Sequence, residues 1–145
     1  MKIKITLILI VVICFSAIVG NAQTTVPCGG IKTLNKFNPQ KVGIVISSND
    51  PETVWNAFRI ANYSIEQGDT VSVFLLGKGV ESPSIVSKDF DVKGIMETFS
   101  NTEGKIFACG TCMQLRHTKG AKLCPISSLS DLYVIIKQSE ILLTF

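Results

Sequence analysis

The residues best suited to chemistry in this chain are the two cysteines of the segment FACGTCMQLRHTKG, residues 107–120. An apolar run that predicts a strand ends at Cys109, and a helix is predicted to begin at Gly110. Backbone N–H groups and the helix dipole at such a junction favour a thiolate, so the sequence predicts a lowered pKa and a reactive thiol at Cys109. Cys112 lies one helical turn on, where it can attack a sulfur atom held on Cys109 and close a disulfide.

Three further residues are predicted to serve this pair of thiols. Arg116 follows Cys112 by one helical turn and can share its face of the helix, where it would attract an anionic sulfur donor. Lys78, at the end of a neighbouring predicted strand, would add positive potential. Gly110 would let the backbone turn tightly after the strand.

The same segment leaves other interpretations open. The pair can be a thiol redox site, although only 33 residues follow Cys112, too few for a thioredoxin fold, in which the motif comes early. Cys109, Cys112, His117 and Cys124 have a spacing close to that of a zinc knuckle and offer four ligands. Alternatively, the cysteines are structural and pack a turn or form a disulfide. His117 is the only histidine in the sequence. It can be a solvated residue at a helix end, an acid–base catalyst or a metal ligand.

A regular alternation of predicted strands and helices positions these residues. Strands are predicted over residues 41–47, 70–76, 105–108, 122–125 and 140–145. Helices are predicted from residue 51 to a stop at Gly68, and over 91–100, 110–117 and 128–139. Right-handed crossovers turn this order into a parallel sheet with helices on both faces. Ligands bind such sheets beyond the carboxyl ends of the strands, which here are residues 47–49, 77–79 and Cys109.

The first 22 residues have the composition of a secretory signal peptide. Two lysines precede the apolar run 5–19, and Gly20 and Ala22 suit a cleavage after Ala22. The run is shorter than the roughly 20 residues that a spanning helix needs. An uncleaved anchor, which would be the protein's one attachment to a membrane, is the alternative. The chain is therefore expected to be exported, to a periplasm or to the outside.

The rest of the chain is expected to form one domain, over residues 41–145, after a leader or linker over residues 23–40 that holds Cys28. Without the signal segment, the chain has 12 basic and 11 acidic residues, and Arg59 and Arg116 are the only arginines. A near-neutral chain with so few arginines neutralises phosphates poorly, so nucleic-acid binding is excluded from the expected functions. The mean hydropathy of +0.38 reflects the apolar run near the start.

Three stretches resemble the DsrE-like family, which includes the sulfur-relay subunits of tRNA thiolation and of dissimilatory sulfur oxidation. They are KVGIVISSNDPETVWNAFRIANYSIEQGDTVSVFLLGKGVE, FACGTCMQLR and LCPISSLSDLYVIIKQSEILLTF, within residues 41–145. The resemblance implies a flavodoxin-like three-layer αβα sandwich that forms homo-oligomers. It also implies that the sulfur-carrying cysteine of the family corresponds to Cys109. Cys112 and Cys124 match cysteines of one branch of the family.

The resulting hypothesis is a sulfur carrier or sulfurtransferase that holds sulfane sulfur as a persulfide on Cys109, outside the cytoplasm. Cys112 would be the resolving thiol, and Arg116 with Lys78 would attract the donor. Donor and acceptor proteins or small thiols would be its partners, and the transient sulfur adduct would be its only cofactor-like group. A predicted signal peptide does not fit tRNA thiolation, which is cytoplasmic. The alternative function is a non-catalytic binding or assembly module with structural cysteines.

Overall fold

The computed structural model describes residues 38–145 of the chain. The predicted signal peptide over residues 1–22, its cleavage near Ala22, most of the predicted leader and Cys28 therefore lie outside the described residues. Within the described part of the chain, no helix is long and apolar enough to cross a bilayer.

Five strands form one sheet in the order β4–β3–β2–β1–β5, and every neighbouring pair is parallel. The strands are β1 (Lys41–Ile46), β2 (Thr70–Leu75), β3 (Lys105–Cys109), β4 (Ile126–Ser127) and β5 (Ile141–Thr144). The β-branched and apolar runs of β1, β2 and β3 suit strands that are covered on both faces. The predicted parallel sheet is confirmed.

The fourth strand lies later in the chain than predicted, since β4 is Ile126–Ser127 rather than residues 122–125. Ala121 and Cys124 instead form an isolated antiparallel bridge within a turn. Pro125 has no N–H, and its carbonyl accepts the N–H of Ala108 at 3.1 Å. Regular pairing with β3 therefore starts only after the proline.

The helices begin largely where capping residues stand in the sequence. They are α1 (Pro51–Glu66), a 3₁₀ helix (Gly77–Ser84), α2 (Val92–Ser100), α3 (Gly110–Leu115) and α4 (Leu129–Gln138). The Asp50 carboxylate accepts the N–H of Thr53 at 2.8 Å and caps α1, as predicted. Ser128 and Asp131 form the predicted capping box of α4. The 3₁₀ helix was not predicted, and it carries part of the candidate site.

The order of the strands places helices on both faces of the sheet. The chain moves from β1 to β4 in one direction and then returns past β1 to β5. Right-handed crossovers therefore put α4 on the face opposite to α1 and α2. α1 and α2 pack together, with the rings of Phe58 and Phe99 edge to face at 5.6 Å, and α4 comes so close to β1 that a side chain at Gly43 would meet Ile135. The protein is thus a three-layer αβα sandwich.

Candidate functional site

The candidate site lies at the carboxyl ends of β2 and β3. The two strands pair in parallel, with Leu75 opposite Ala108. β3 is followed directly by α3, and β2 leads through Leu76 into the 3₁₀ helix. The 3₁₀ helix and α3 consequently lie beside each other. This is the edge of the sheet where the sequence predicts a ligand or reactive group.

Cys109 is the last residue of β3 and the N-cap of α3, as predicted, but its thiol is buried, with 7% of the residue exposed. Its Sγ accepts the N–H of Cys112 at 3.4 Å. Burial raises the pKa of the Cys109 thiol, and a side-chain hydrogen bond with Cys112 raises it further. The N–H groups of Cys112 and Thr111 lower the pKa by less. The predicted lowering of the Cys109 pKa is therefore wrong, because loss of hydration outweighs the N–H groups of a six-residue helix.

Cys112 is the more accessible of the two thiols. The residue is half-buried, and its Sγ accepts the backbone N–H of Gly77 at 3.3 Å. The two side chains are close enough for that of Cys112 to raise the pKa of the Cys109 thiol. Both are free thiols. The structure thus brings together the predicted pair of thiols. It gives the more accessible position to Cys112, and the Gly77 N–H donates to Cys112 rather than to Cys109.

The loop that supplies this donor depends on two glycines. Gly77 has φ +55°, in the left-handed region that glycine adopts without steric cost. Gly79 passes so close to β1 that an added Cβ would collide with the carbonyl of Ile46. Lys78 lies between these two glycines and is exposed. This position is consistent with its predicted role as a source of positive potential.

Arg116 is paired with a residue that sequence reasoning missed. Its Nε lies 3.7 Å from Oε1 of Glu81. The other carboxylate oxygen, Oε2, accepts Nδ2–H of Asn49 at 2.7 Å. Asn49 follows β1, Glu81 lies in the 3₁₀ helix and Arg116 follows α3, so three neighbouring strand ends contribute to one polar cluster. The only available signal for Asn49 and Glu81 was their position just beyond predicted strands.

Gly110 serves a packing role. A Cβ at this position would lie 2.8 Å from Cγ2 of Ile126, closer than side chains can approach. The absence of a side chain therefore lets α3 start against β4. A larger residue here would force the Ile126 side chain to shift.

His117 lies outside the thiol cluster at the end of α3. It is exposed and has φ +52°, the only positive φ of a non-glycine residue among those described. Its N–H bonds to the carbonyl of Gln114, and the N–H of Thr118 bonds to that of Met113. This is the hydrogen-bond pattern of a Schellman C-cap, with His117 where glycine is usual. The predicted helix over 110–117 ends at Leu115 for this reason.

Cys124 is a buried thiol beside β4, with 2% of the residue exposed. Burial raises its pKa to about 12, so it carries no thiolate near neutral pH. Within residues 38–145, no three His, Cys, Asp or Glu side chains converge in a way that could hold a metal ion. Cys109, Cys112, His117 and Cys124 therefore do not form the four-ligand zinc arrangement that their spacing allowed.

A protein-family model matches the part of the chain that contains this site. The model of the DsrE/DsrF-like family matches residues 40–145. The chain belongs to the DsrE/DsrF-like family. The match covers all five strands and the whole thiol cluster, so the resemblance seen in the sequence is confirmed.

Two solved structures have the same fold as this chain. The ychN protein from E. coli superposes with a TM-score of 0.65 and 21% identity, covering 73% of this chain and 99% of its own. A protein of unknown function from Methanobacterium thermoautotrophicum, MTH1491, superposes with a TM-score of 0.56 and 13% identity, with the same coverage. At these identities the likeness concerns the fold, which is flavodoxin-like. No curated protein matches the sequence.

Proposed function

We propose that the protein carries sulfane sulfur as a cysteine persulfide, that Cys112 accepts the sulfur, and that Cys109 is the second thiol. Membership of the DsrE/DsrF-like family supports a role of the sulfur-relay type. The observation that favours Cys112 is that the residue is only half-buried and that its Sγ accepts the N–H of Gly77 at 3.3 Å. Cys109 is buried and has a raised pKa. The sequence and the resemblance predicted Cys109 as the carrier and Cys112 as the resolving thiol, and this assignment reverses those two roles.

The loading step needs no oxidant. The Cys112 thiolate attacks the outer sulfur of a donor persulfide, the donor's S–S bond breaks, and the donor leaves as a thiolate. A new S–S bond on Cys112 replaces the one that was lost. The Gly77 N–H points at the sulfur that carries negative charge before the attack, and charge-assisted hydrogen bonds of this kind are stronger than neutral ones.

Unloading can follow two routes that differ in the sulfur attacked. An acceptor thiolate that attacks the outer sulfur takes it and leaves Cys112 as a thiolate. Cys109, once deprotonated, can instead attack the inner sulfur, which forms the Cys109–Cys112 disulfide and releases hydrosulfide. The hydrogen bond from the Cys112 N–H to the Cys109 Sγ, which keeps the two residues close, supports the second route. This route needs an external dithiol to restore the pair.

The test is sulfur loading of the purified, reduced protein with inorganic polysulfide. Each bound sulfur adds about 32 Da, removable by a reductant, in the intact mass. We expect Cys112→Ser to abolish loading, Cys109→Ser to retain it, and Cys124→Ala, the control at a buried thiol, to load like the wild type. Loss of loading in Cys109→Ser with retention in Cys112→Ser would return the carrier role to Cys109. Equal loading of all three variants, or none in the wild type, would refute the proposal.

The second candidate function is a thiol redox protein, favoured by the side-chain contact between Cys109 and Cys112. In that case the pair would cycle between dithiol and disulfide in a glutathione buffer without binding sulfur from polysulfide. A protein that forms the disulfide at the potential of its compartment but shows no added sulfur mass would support this function.

Export is part of the proposal. The apolar segment 5–19 and the small residues before position 23 support cleavage after Ala22. Protein recovered from the extracytoplasmic fraction of an expressing cell should begin at Gln23. A protein found in the cytoplasm with Met1 or residue 2 as its first residue would refute export.

A homo-oligomer is also expected, and α4 is its best interface. Leu129, Tyr133 and Ile136 are 72%, 63% and 41% exposed on this helix. Large exposed apolar patches often mark protein contacts. Tyr133→Asp should reduce the native mass to that of a monomer, whereas Val86→Asp, at a loop residue that is 96% exposed, should not. A monomeric wild type would contradict this expectation.

A further inference from the structure

The 3₁₀ helix and α3 are joined at two points. At one point the N–H of Gly77 donates to Sγ of Cys112 at 3.3 Å. At the other, Glu81 pairs with Arg116 at 3.7 Å. Glu81 follows Gly77 by the same number of residues as Arg116 follows Cys112. The ion pair therefore belongs to the same two segments that hold the half-exposed thiol.

Glu81 is held in place by two partners. Oε1 faces Nε of Arg116, and Oε2 accepts Nδ2–H of Asn49 at 2.7 Å. The side chains of Glu81 and Arg116 are 34% and 29% exposed, so solvent screens the pair less than it screens a fully exposed one. Both carboxylate oxygens of Glu81 therefore have a partner, which holds the carboxylate beside the guanidinium. Lys78, which is exposed, remains without such a partner among the described residues.

We infer that Glu81 determines the charge selectivity of the thiol site by cancelling the positive potential of Arg116 next to Cys112. Without this carboxylate, two cations would attract dianionic sulfur donors such as thiosulfate. With it, the site favours donors of low charge, such as the persulfide of a small thiol or of a protein. As a statement about donors this inference rests on the proposed function, whereas the charge selectivity itself does not.

The charge selectivity can be measured without any sulfur transfer. Iodoacetamide is neutral and iodoacetate is anionic, and both alkylate a thiolate with loss of iodide. The rate at Cys112 can be followed by fragmentation of the tryptic peptide 106–116, which separates Cys112 from Cys109. The ratio of the iodoacetate rate to the iodoacetamide rate then reports the potential at Cys112, independently of how accessible the thiol is.

We expect Glu81→Gln to raise this ratio about threefold at low ionic strength, and the increase to shrink as salt is added. The matched control is Glu97→Gln, which removes the same charge from the Lys93–Glu97 pair on α2. It should leave the ratio unchanged. Arg116→Gln should lower the ratio by a similar factor, and it provides the test if the Glu81 variant does not fold.

Three results would overturn the inference. They are an unchanged ratio in the Glu81 variant, an equal change in the Glu97 variant, and equal acceleration with both reagents, which would mean a loosened loop rather than a changed potential. In a second arm, thiosulfate, which is a dianion, and the persulfide of 2-mercaptoethanol, which carries at most one negative charge, are offered to the same proteins. Transfer from thiosulfate breaks its S–S bond, places the outer sulfur on Cys112 and releases sulfite.

The second arm separates the two proposals. If no variant binds sulfur but the alkylation ratios change as expected, the proposed function fails and the charge selectivity stands. If the wild type is loaded by either donor, Glu81→Gln should increase loading by thiosulfate relative to loading by the persulfide of 2-mercaptoethanol. Loading with an unchanged preference would refute the inference about donors while leaving the proposed function intact.

Discussion

Cys124 allows a quantitative test of how burial controls the thiols of this protein. Burial raises the pKa of this thiol from 9.0 to about 12. The folded state therefore holds the proton more tightly than the unfolded chain does. The resulting stabilisation is fully present below about pH 9, and it is lost as the pH rises toward about pH 12.

The size of the effect follows from proton linkage. At about pH 10 most unfolded chains carry a Cys124 thiolate, whereas nearly all folded molecules keep the thiol. The free energy of unfolding should then be about 1.4 kcal/mol lower than at about pH 7 because of this one group. Cys124→Ala removes the group, so its stability should lack this component of the pH dependence.

The assay is urea unfolding of the wild type and Cys124→Ala, with a reductant present, at about pH 7 and about pH 10. Other titrating groups cancel in the difference between the two proteins, which should shrink by about 1.4 kcal/mol at the higher pH. Val71→Ala is the control, because Val71 is 1% exposed and does not titrate. A wild-type-to-Cys124→Ala difference that stays constant with pH would refute the reasoning.

Three further predictions concern the site and its supporting turns. With iodoacetamide at about pH 7, Cys109 should react at least about tenfold more slowly than Cys112, since Cys109 is buried and has a raised pKa; comparable rates by peptide mapping would contradict this ordering. Gly77→Val should cost about 1–2 kcal/mol in urea unfolding, because a β-branched residue does not tolerate φ +55°, and it should also slow sulfur loading; an unaltered stability would show that the turn is not constrained as described. His117→Gly should raise the free energy of unfolding by about 1 kcal/mol, because glycine is the usual residue at a C-cap of this type. A destabilised His117→Gly protein would mean that the imidazole makes a stabilising contact.

Two opposing effects act on the pKa of the Cys109 thiol, and their balance distinguishes it from Cys112. N–H groups at the start of α3 lower the pKa of the thiol, as a strand-to-helix junction should. Burial and the neighbouring Cys112 raise it by more. The resulting division of roles, with one protonated buried thiol and one half-exposed thiol, suits a site that accepts sulfur on one cysteine and releases it with the help of the other.

The sequence by itself determined the order of the strands and α-helices, the parallel sheet, the caps at Asp50 and Ser128, and the position of the thiols at the end of β3. These features follow from short-range patterns. Apolar periodicity selects the elements, side chains within one turn cap the helices, and the handedness of crossovers orders the layers. The weak two-residue β4 was placed too early, because its position depends on pairing with β3 rather than on its own composition.

Only the tertiary structure decided which thiol is accessible, which N–H group it meets and which charge opposes Arg116. Gly77 and Cys112 are 35 residues apart in the chain and meet because β2 and β3 are neighbours. Glu81 and Arg116 are brought together by the same pairing. Burial and ion pairing depend on atoms that are distant in sequence, so no local pattern could show that the buried Cys109 would have a raised pKa.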